Sequence, residues 1–472
     1  MNGDRISPGQ LERHDITLRN SVDHILGGGV TEEAWEVSTL AVRRAGLGFR
    51  DAVSLALPAF VASRLSSRPS VAVLAAQLAE SGLCEVAAFM AVFDQRTDAA
   101  MARLLVTVDT ATAGRLLEEA RQAAEDAQVS WDELFAARED GPPRPPAARG
   151  SAAAFALLPV DEDEDAEHPD HPVGHGAVRI QRRLCAHLDE RRFAAVWVGV
   201  EQRGDAAAIA RLRELSDPDV DHSWLWSLCP HRGVVLSDDV FLDAIRARMG
   251  VAGPLEPAEC ALCGQLSSGC PIAHASCCAG GESTKGHNAI ARKLAAEIGS
   301  ADPSLEIEAQ GLIPGTRLRP ADLLTSILGA GLTAVDVGVA SPHADRAGAD
   351  CVQTMVNDKY AKYDPHAEAL GRQGIACRPF CFSCYGRPHP DALAMLRDMV
   401  RRISRRRACT AHKARFRRLL AKLTGLLWAR LGRQCMFCWP ASSEDAAADG
   451  STGRATDDVA FDIVESRPED GA

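Results

Sequence analysis

The chain has 472 residues, of which 46% are hydrophobic and 25% charged, and its formal net charge is −12. This length indicates about three domains, while the lack of any apolar run near the ~18 residues of a membrane helix excludes a transmembrane protein. Because the polar N-terminus is unlike a signal peptide, we expect an intracellular protein whose 15 cysteines are reduced thiols, some of them metal-bound.

The negative charge is concentrated in two short segments. Residues 161–170 carry a charge of −7 and residues 442–472 another −7, which leaves the remainder near +2. Within that remainder, residues 391–434 contain thirteen Lys or Arg against two Asp. The acidic segments are typical of solvated chain, whereas the basic stretch could contact a polyanion.

Composition and periodicity predict a multidomain protein with an α-helical N-terminal part and a later α/β core. Apolar residues at three-to-four spacing indicate helices near the N-terminus, with Thr31 as an N-cap. A Pro-rich stretch followed by acids cannot bury enough apolar area to fold. In chain order we predict helices over 1–139, a disordered linker over 140–177, a helical segment over 178–253, a zinc knuckle over 254–285, an α/β domain over 286–438 and a disordered acidic tail over 439–472.

Within the α/β domain, alternation and helical spacing separate the predicted elements. In chain order these are a helix over 287–299, strands over 305–310, 318–328 and 332–340, a helix over about 350–372, a strand over 375–386 and two basic helices over about 390–434.

The cysteines after residue 254 have the spacing of a zinc knuckle. Cys260 and Cys263 are separated by two residues, and His274 follows with either Cys277 or Cys278 as the fourth ligand. Mixed thiolate and imidazole donors favour a closed, structural Zn²⁺ site. Cys270 is a further candidate, and a chance cluster is the alternative.

Two other close pairs, Cys381/Cys384 and Cys435/Cys438, have no nearby His or Cys at suitable spacing. We expect all four of these cysteines to be small buried core residues.

Two aspartates lie on neighbouring predicted strands. If the hairpin is centred on residue 329 or 330, paired residue numbers sum to 658 or 660, so Asp322 lies opposite Asp336 or displaced by two. Both side chains then share one face, with opposed β-carbons about 5 Å apart. Two carboxylates so close need a cation between them, and Mg²⁺ suits oxygen ligands. An edge strand with one solvated face is the alternative.

Several polar residues could complete such a site. Lys359 and Lys362 share a helix face and could stabilise developing charge or orient a water molecule. Glu308 could add a metal ligand, and His287 with Asn288 opens a predicted helix, where it could cap the N-terminus or contact phosphate. The phosphate-binding candidates on the basic helices are Arg401, Arg402, Arg405, Arg406 and Arg407.

The order of these motifs resembles the C-terminal region of non-LTR retrotransposon polyproteins. Those proteins carry a zinc knuckle followed by a restriction-like endonuclease of the PD-(D/E)XK superfamily. The resemblance covers about residues 255–434 and implies that Asp322 and Asp336 bind the catalytic metal, with Lys359 as a relocated lysine. Three departures are the extra Ala321 in Pro-Ala-Asp, Gly338 at the usual lysine position and Gly286 where Arg is common.

The N-terminal helices resemble the thumb of the same polyproteins, because residues 45–50 (AGLGFR) stand where the family has a Gly-Gly-Leu-Gly-Leu-Arg run. No paired-aspartate polymerase motif precedes them, so the chain is expected to lack the polymerase palm.

The resemblance implies a metal-dependent nuclease that nicks target DNA, with structural Zn²⁺ and catalytic Mg²⁺. It also implies a nuclear location, DNA and RNA as candidate partners, no membrane, and a reverse transcriptase supplied in trans. A catalytically decayed fragment that only binds nucleic acid is the first alternative. A zinc-stapled interaction scaffold that docks through helices 30–135 is the second.

Overall fold

The computed structural model describes residues 8–105, 175–226, 236–251, 258–266, 271–278, 282–313, 315–316, 318–329 and 331–440. These residues are mostly helical, with one small four-stranded mixed sheet. They belong to two compact units, Met1–Ser21 with Arg50–Ala194, and Val22–Phe49 with Ala195–Ala472. Among the described helices, none combines the length and apolar character needed to span a bilayer.

The elements follow in chain order. The helices are α1 (Pro8–Ile25), α2 (Glu32–Thr39), α3 (Ala52–Glu80), α4 (Val86–Leu105), α5 (His175–Arg203), α6 (Ala206–Leu215), α7 (Asp238–Met249), α8 (Pro271–Cys277), α9 (Glu282–Gly299), α10 (Cys351–Tyr363), α11 (Ala367–Arg372), α12 (Pro390–Arg406) and α13 (His412–Cys438). The strands are β1 (Glu306–Ile307), β2 (Leu323–Thr325), β3 (Leu332–Ala340) and β4 (Ile375–Ser383).

The N-terminal helices follow the predicted pattern. Thr31 caps α2 by accepting a hydrogen bond from the Ala34 amide at 3.2 Å, as predicted. In the first unit, α3 and α4 pack through small and aliphatic residues, which buries Val61 and Met101. Most of the predicted linker and tail lies outside the described residues, and α5 begins at His175, two residues before the predicted linker end at 177.

The sheet of the second unit has the order β1-β2-β3-β4. Strands β1, β2 and β3 pair antiparallel, and β3 pairs parallel with β4. Leu323 pairs with Val335 and Thr325 with Thr333, so paired numbers sum to 658, which is one of the two predicted hairpin registers. One face of the sheet packs on α9, α12 and α13, and the other on α10 and α11.

Some predicted boundaries are wrong for local reasons. The strand predicted over 318–328 is reduced to β2, because Pro320 has no N–H to donate and Asp302 binds the Ser326 amide at 2.7 Å, which ends the strand. The helix predicted over 350–372 is α10, a 3₁₀ turn over Asp364–His366 and then α11. Helix α9 begins five residues before His287, which therefore does not open it.

Helix α13 connects several parts of the second unit. Trp428, fully buried, stacks on Trp224 with ring centroids 4.3 Å apart. Gly432 allows α7 to approach closely, since a β-carbon there would lie 2.5 Å from the Val240 carbonyl oxygen. The helix also packs on α8, α9 and α12. Its C-terminus lies beside the cysteine-rich segment, the part of the chain that contains Cys260 and Cys278.

Candidate active site and metal centre

The two predicted carboxylates lie on the β2–β3 hairpin, one just before β2 and the other in the middle of β3. Asp322 directly precedes β2, and its amide donates to the Val335 carbonyl at 2.9 Å. The last observed pair is Leu323 with Val335, and Asp322 and Asp336 are the adjacent residues on the two segments. Strand β2 is too short to pair with the Val337 amide, and the Asp322 carboxylate accepts that hydrogen bond at 2.7 Å. The hairpin therefore fixes both acids on neighbouring backbone segments.

Lys359 reaches this pair from α10 on the adjoining face. Its Nζ lies 2.6 Å from Asp336 Oδ1 and 2.9 Å from the Val337 carbonyl oxygen. Gly338 leaves the space for its side chain, because a β-carbon at that position would lie 2.7 Å from Lys359 Cε. Among the candidate amines, Lys359 is the one at the carboxylates, whereas Lys362 is exposed and stacks over the Tyr363 ring at 4.8 Å.

His287 is the third group at the carboxylates. Its Nε2 lies 3.1 Å from Asp322 Oδ2, and its Nδ1 lies 3.1 Å from Asn288 Oδ1. A protonated imidazole can donate to both acceptors, so the hydrogen bond to Asp322 raises the pKa of His287 despite burial. Burial raises the pKa of Asp322, but the hydrogen bonds from His287 and the Val337 amide outweigh it and leave that pKa below its usual value.

Asp336 has the opposite electrostatic balance. Burial raises its pKa above the usual value, although the Lys359 ammonium acts against this, and the nearby Asp322 charge adds to the rise. Its side chain is 12% exposed and that of Lys359 is 17% exposed. A buried carboxylate with an amine partner and a second acid beside it is a typical arrangement in functional sites as well as in structural ion pairs.

The structure does not bring Glu308 to this site. Its side chain is 63% exposed and lies 3.9 Å from Arg319, and only its backbone amide contacts Asp322, through the carbonyl oxygen at 2.8 Å. Within the described part of the chain, one group of three or more metal-ligand side chains lies close together, and it is the Cys/His cluster described below. The carboxylate site thus has two acids and no third acidic ligand within these residues.

Four metal-ligand side chains meet where the cysteine-rich segment contacts the end of α13. Donor atoms of Cys260, His274, Cys278 and Cys438 all lie within 4.8 Å of one another, and this group could bind a metal such as zinc. The Cys260 and Cys278 sulfurs are 3.9 Å apart. The three cysteines are buried.

The cluster contains one of the two alternatives predicted for the fourth ligand and lacks one predicted ligand. Cys278 rather than Cys277 belongs to it, because Cys277 is exposed and donates to the Ala273 carbonyl of its own helix at 3.1 Å. Cys263 is also exposed, with its sulfur 3.4 Å from His274 Nε2, and is outside the group of four. Cys270 lies outside the described residues.

Cys438 was missed by sequence reasoning, which treated it as a core residue. It is buried, like Cys381, Cys384 and Cys435, but it alone of these four lies in the cluster. Its distance along the chain from Cys260 is the reason that no spacing pattern reveals it. The single local signal is its proximity to Cys435, which the cluster does not use.

Hydrogen bonding favours a thiolate at Cys260. Burial raises its pKa, but hydrogen bonds from the amide N–H groups of Cys263 and Leu262 and from His274 outweigh this effect. The resulting pKa of Cys260 is about 6. Burial and the adjacent Cys260 raise the pKa of Cys438. A thiolate at Cys260 would therefore provide the first negatively charged ligand for a cation.

The predicted phosphate contacts lie along the end of α12. The opposite face of this helix is buried, including Leu396 and Ile403, so its cationic residues point outward. Arg402 Nε forms an ion pair with Asp398 Oδ2 at 2.8 Å, and Arg406 donates a hydrogen bond to the Ala301 carbonyl at 2.7 Å. We call the set Arg401, Arg402, Arg405, Arg406 and Arg407 the α12 basic surface.

Comparison of the chain with models of known protein families gives no match. A search among curated proteins gives no significant match either. No function is therefore transferred to this chain from a relative.

Proposed function

We propose that the second unit is a metal-dependent endonuclease of the restriction-like type that nicks duplex DNA. The observation that supports this most strongly is the placement of Lys359 on Asp336 through the space above Gly338. Restriction-like sites need an amine beside two acids, and here a helix provides the amine that the strand lacks. The resemblance in motif order points to the same activity.

Two acids are sufficient for Mg²⁺ in a nuclease. This ion keeps several of its waters and is commonly bound by one or two carboxylates together with phosphate oxygens of the substrate. Asp322 and Asp336 would hold it, and the bound ion would supply Lewis-acid polarisation of the phosphodiester. The exposed position of Glu308 is compatible with a site completed by DNA.

The protein groups then have separate roles. Lys359 would orient the attacking water or stabilise the phosphate charge, and His287 would hold Asp322 in place through the 3.1 Å contact. The water oxygen bonds to phosphorus and releases a proton to solvent while the bond to the 3′ oxygen breaks. The departing oxygen takes a proton from solvent, which leaves 5′-phosphate and 3′-hydroxyl ends.

The α12 basic surface would contact the same duplex. Arg406 binds Ala301 just beyond the end of α9, while His287 lies in the second turn of that helix. At 1.5 Å per residue these positions are about 20 Å apart along the axis, close to the length of six base pairs at 3.4 Å each. Phosphate contacts at this distance would position DNA without reading its sequence.

The test is nicking of supercoiled plasmid with Mg²⁺. We expect Asp322→Asn, Asp336→Asn and Lys359→Ala to reduce the rate by at least about 100-fold, whereas Lys362→Ala, on the same helix but exposed, stays within about twofold. Equal nicking by wild type and Asp336→Asn would refute the assignment.

A second candidate is a nucleic-acid-binding protein that has lost catalysis. Each acid is already paired, Asp322 with His287 and Asp336 with Lys359, and no third acid joins them within the described residues. It predicts salt-sensitive DNA retention by the wild type without any Mg²⁺-dependent nicking. RNA binding, a polymerase partner in trans and a nuclear location stay predictions from the resemblance.

A further inference from the structure

The Cys/His cluster joins two segments that are distant along the chain. Cys260, His274 and Cys278 come from the cysteine-rich segment, and Cys438 is the last residue of α13. We propose that these four residues bind one Zn²⁺ ion, which fastens the end of α13 to this segment. Cys438, rather than Cys263, is then the fourth ligand.

The spacing of the donors fits a tetrahedral ion. With Zn–S distances of about 2.3 Å, two sulfurs on a tetrahedron are about 3.8 Å apart, and the Cys260 and Cys278 sulfurs are already 3.9 Å apart. No two donor atoms in the group are more than 4.8 Å apart, so the donors need to contract by no more than about 1 Å. Thiolates with one imidazole are the donor set that zinc prefers.

Burial distinguishes Cys438 from Cys263. Structural zinc sites are closed, and Cys260, Cys278 and Cys438 are 2%, 5% and 0% exposed. Cys263 is exposed, and its sulfur, 3.4 Å from His274 Nε2, is outside the group of four. A site built on Cys438 has three buried sulfurs and a half-buried His274, whereas one built on Cys263 would include an exposed residue.

Contacts that do not depend on an ion hold Cys438 in position. The Ala261 amide donates to the Cys438 carbonyl at 2.9 Å, directly beside Cys260. The next residue, Trp439, packs edge-on against the His274 ring with centroids 5.7 Å apart. Gln434, one turn earlier, donates to the Cys438 sulfur at 3.8 Å, as outer-shell groups do around bound metals.

The proposed ion would close a long stretch of the second unit. The chain between Cys260 and Cys438 contains every strand of the sheet and helices α8 to α13. Because α13 packs on α9, which carries His287, the ion would also support one wall of the carboxylate site. Its role is structural, so the proposal stands whether or not the protein cuts DNA.

Thiol alkylation of the full chain tests the ligand set without any substitution. The protein is loaded with one equivalent of Zn²⁺, treated with iodoacetamide with or without chelator, and each cysteine is quantified by mass spectrometry. We expect Cys263 to react rapidly in both states, and Cys438 to react at least 10-fold faster once zinc is removed. Cys435, one turn earlier on α13, should respond less. Protection of Cys263 by zinc, or no change at Cys438, would overturn the proposal.

Variants give a second and independent measurement. Zinc affinity, measured by competition with a chromogenic chelator, should fall at least 100-fold for Cys438→Ala and change less than threefold for Cys263→Ala and Cys435→Ala. Loss of zinc by Cys263→Ala, whatever Cys438→Ala does, would overturn the ligand set, and so would wild-type affinity in Cys438→Ala. If Cys438→Ala fails to fold, the alkylation result decides.

Discussion

Replacing Gly338 with alanine would remove the space through which Lys359 reaches Asp336. The new β-carbon would lie 2.5 Å from Met355 Sδ, 2.7 Å from Lys359 Cε and 2.9 Å from the sulfur of Cys381. Cys381 cannot retreat easily, because it pairs with Gly338 across β3 and β4 and is fully buried. Overpacking of this kind costs about 1–3 kcal/mol, and loss of a strand glycine returns about 0.5–1 kcal/mol. We expect a net loss of about 1–2 kcal/mol of unfolding free energy.

Gly371 provides the matched control. It lies in α11, has no atom within 4 Å of the added β-carbon and does not have a positive φ, so Gly371→Ala should be neutral or stabilising. By thermal denaturation we expect Gly338→Ala to lower Tm by about 2–8 °C. Its plasmid nicking should fall by at least about tenfold, because Lys359 is displaced. Wild-type Tm and nicking in Gly338→Ala would refute this account of the site.

Three further perturbations address other features of the second unit. Burial raises the pKa of Asp302, but hydrogen bonds from Ser304, Thr325 and the Ser326 amide outweigh it and hold that pKa well below its usual value. This carboxylate therefore stabilises the fold above about pH 4 and loses that contribution as the pH falls. Asp302→Asn should lower the unfolding free energy, measured in urea, by about 2–3 kcal/mol at pH 7 and by progressively less below pH 4. Arg248 is fully buried and donates to the carbonyls of residues 42 and 46, so Arg248→Met should lower stability by about 3 kcal/mol, and an unchanged Tm would contradict this. Arg405→Ala and Arg407→Ala should each reduce the slope of log affinity for DNA against log salt by about 1, and unchanged slopes would remove the α12 basic surface from the interface.

The sequence predicted the parts of the site that depend on local pattern. Two strand-like runs around Gly329 and Gly331 indicated the hairpin, and the structure has one of the two registers that a centre at residue 329 or 330 allows. The lengths of the strands were less predictable. The hydrogen bonds that end β2 come from Asp302, which lies outside either strand.

Residues brought together by tertiary contacts were harder to predict. Cys438 meets Cys260 only because α13 folds back over the sheet, and neither its spacing nor its apolar neighbours indicate this. His287 was expected at a helix N-terminus, but α9 begins five residues earlier. The His287 ring instead contacts Asp322. A pattern that reports local periodicity contains no information about which turn of one helix faces another segment.

Gly338 and Lys359 are best understood as one feature of the site. The sequence shows only that the position two residues after Asp336 lacks the usual lysine, which taken alone weakens the case for catalysis. In the fold, a side chain at that position would occupy the space filled by Lys359 Cε. The site can therefore take its amine from the strand or from α10, but not from both. Lys359 can reach the carboxylate because position 338 has no side chain. Gly338 is therefore consistent with the proposed relocation of the lysine from β3 to α10.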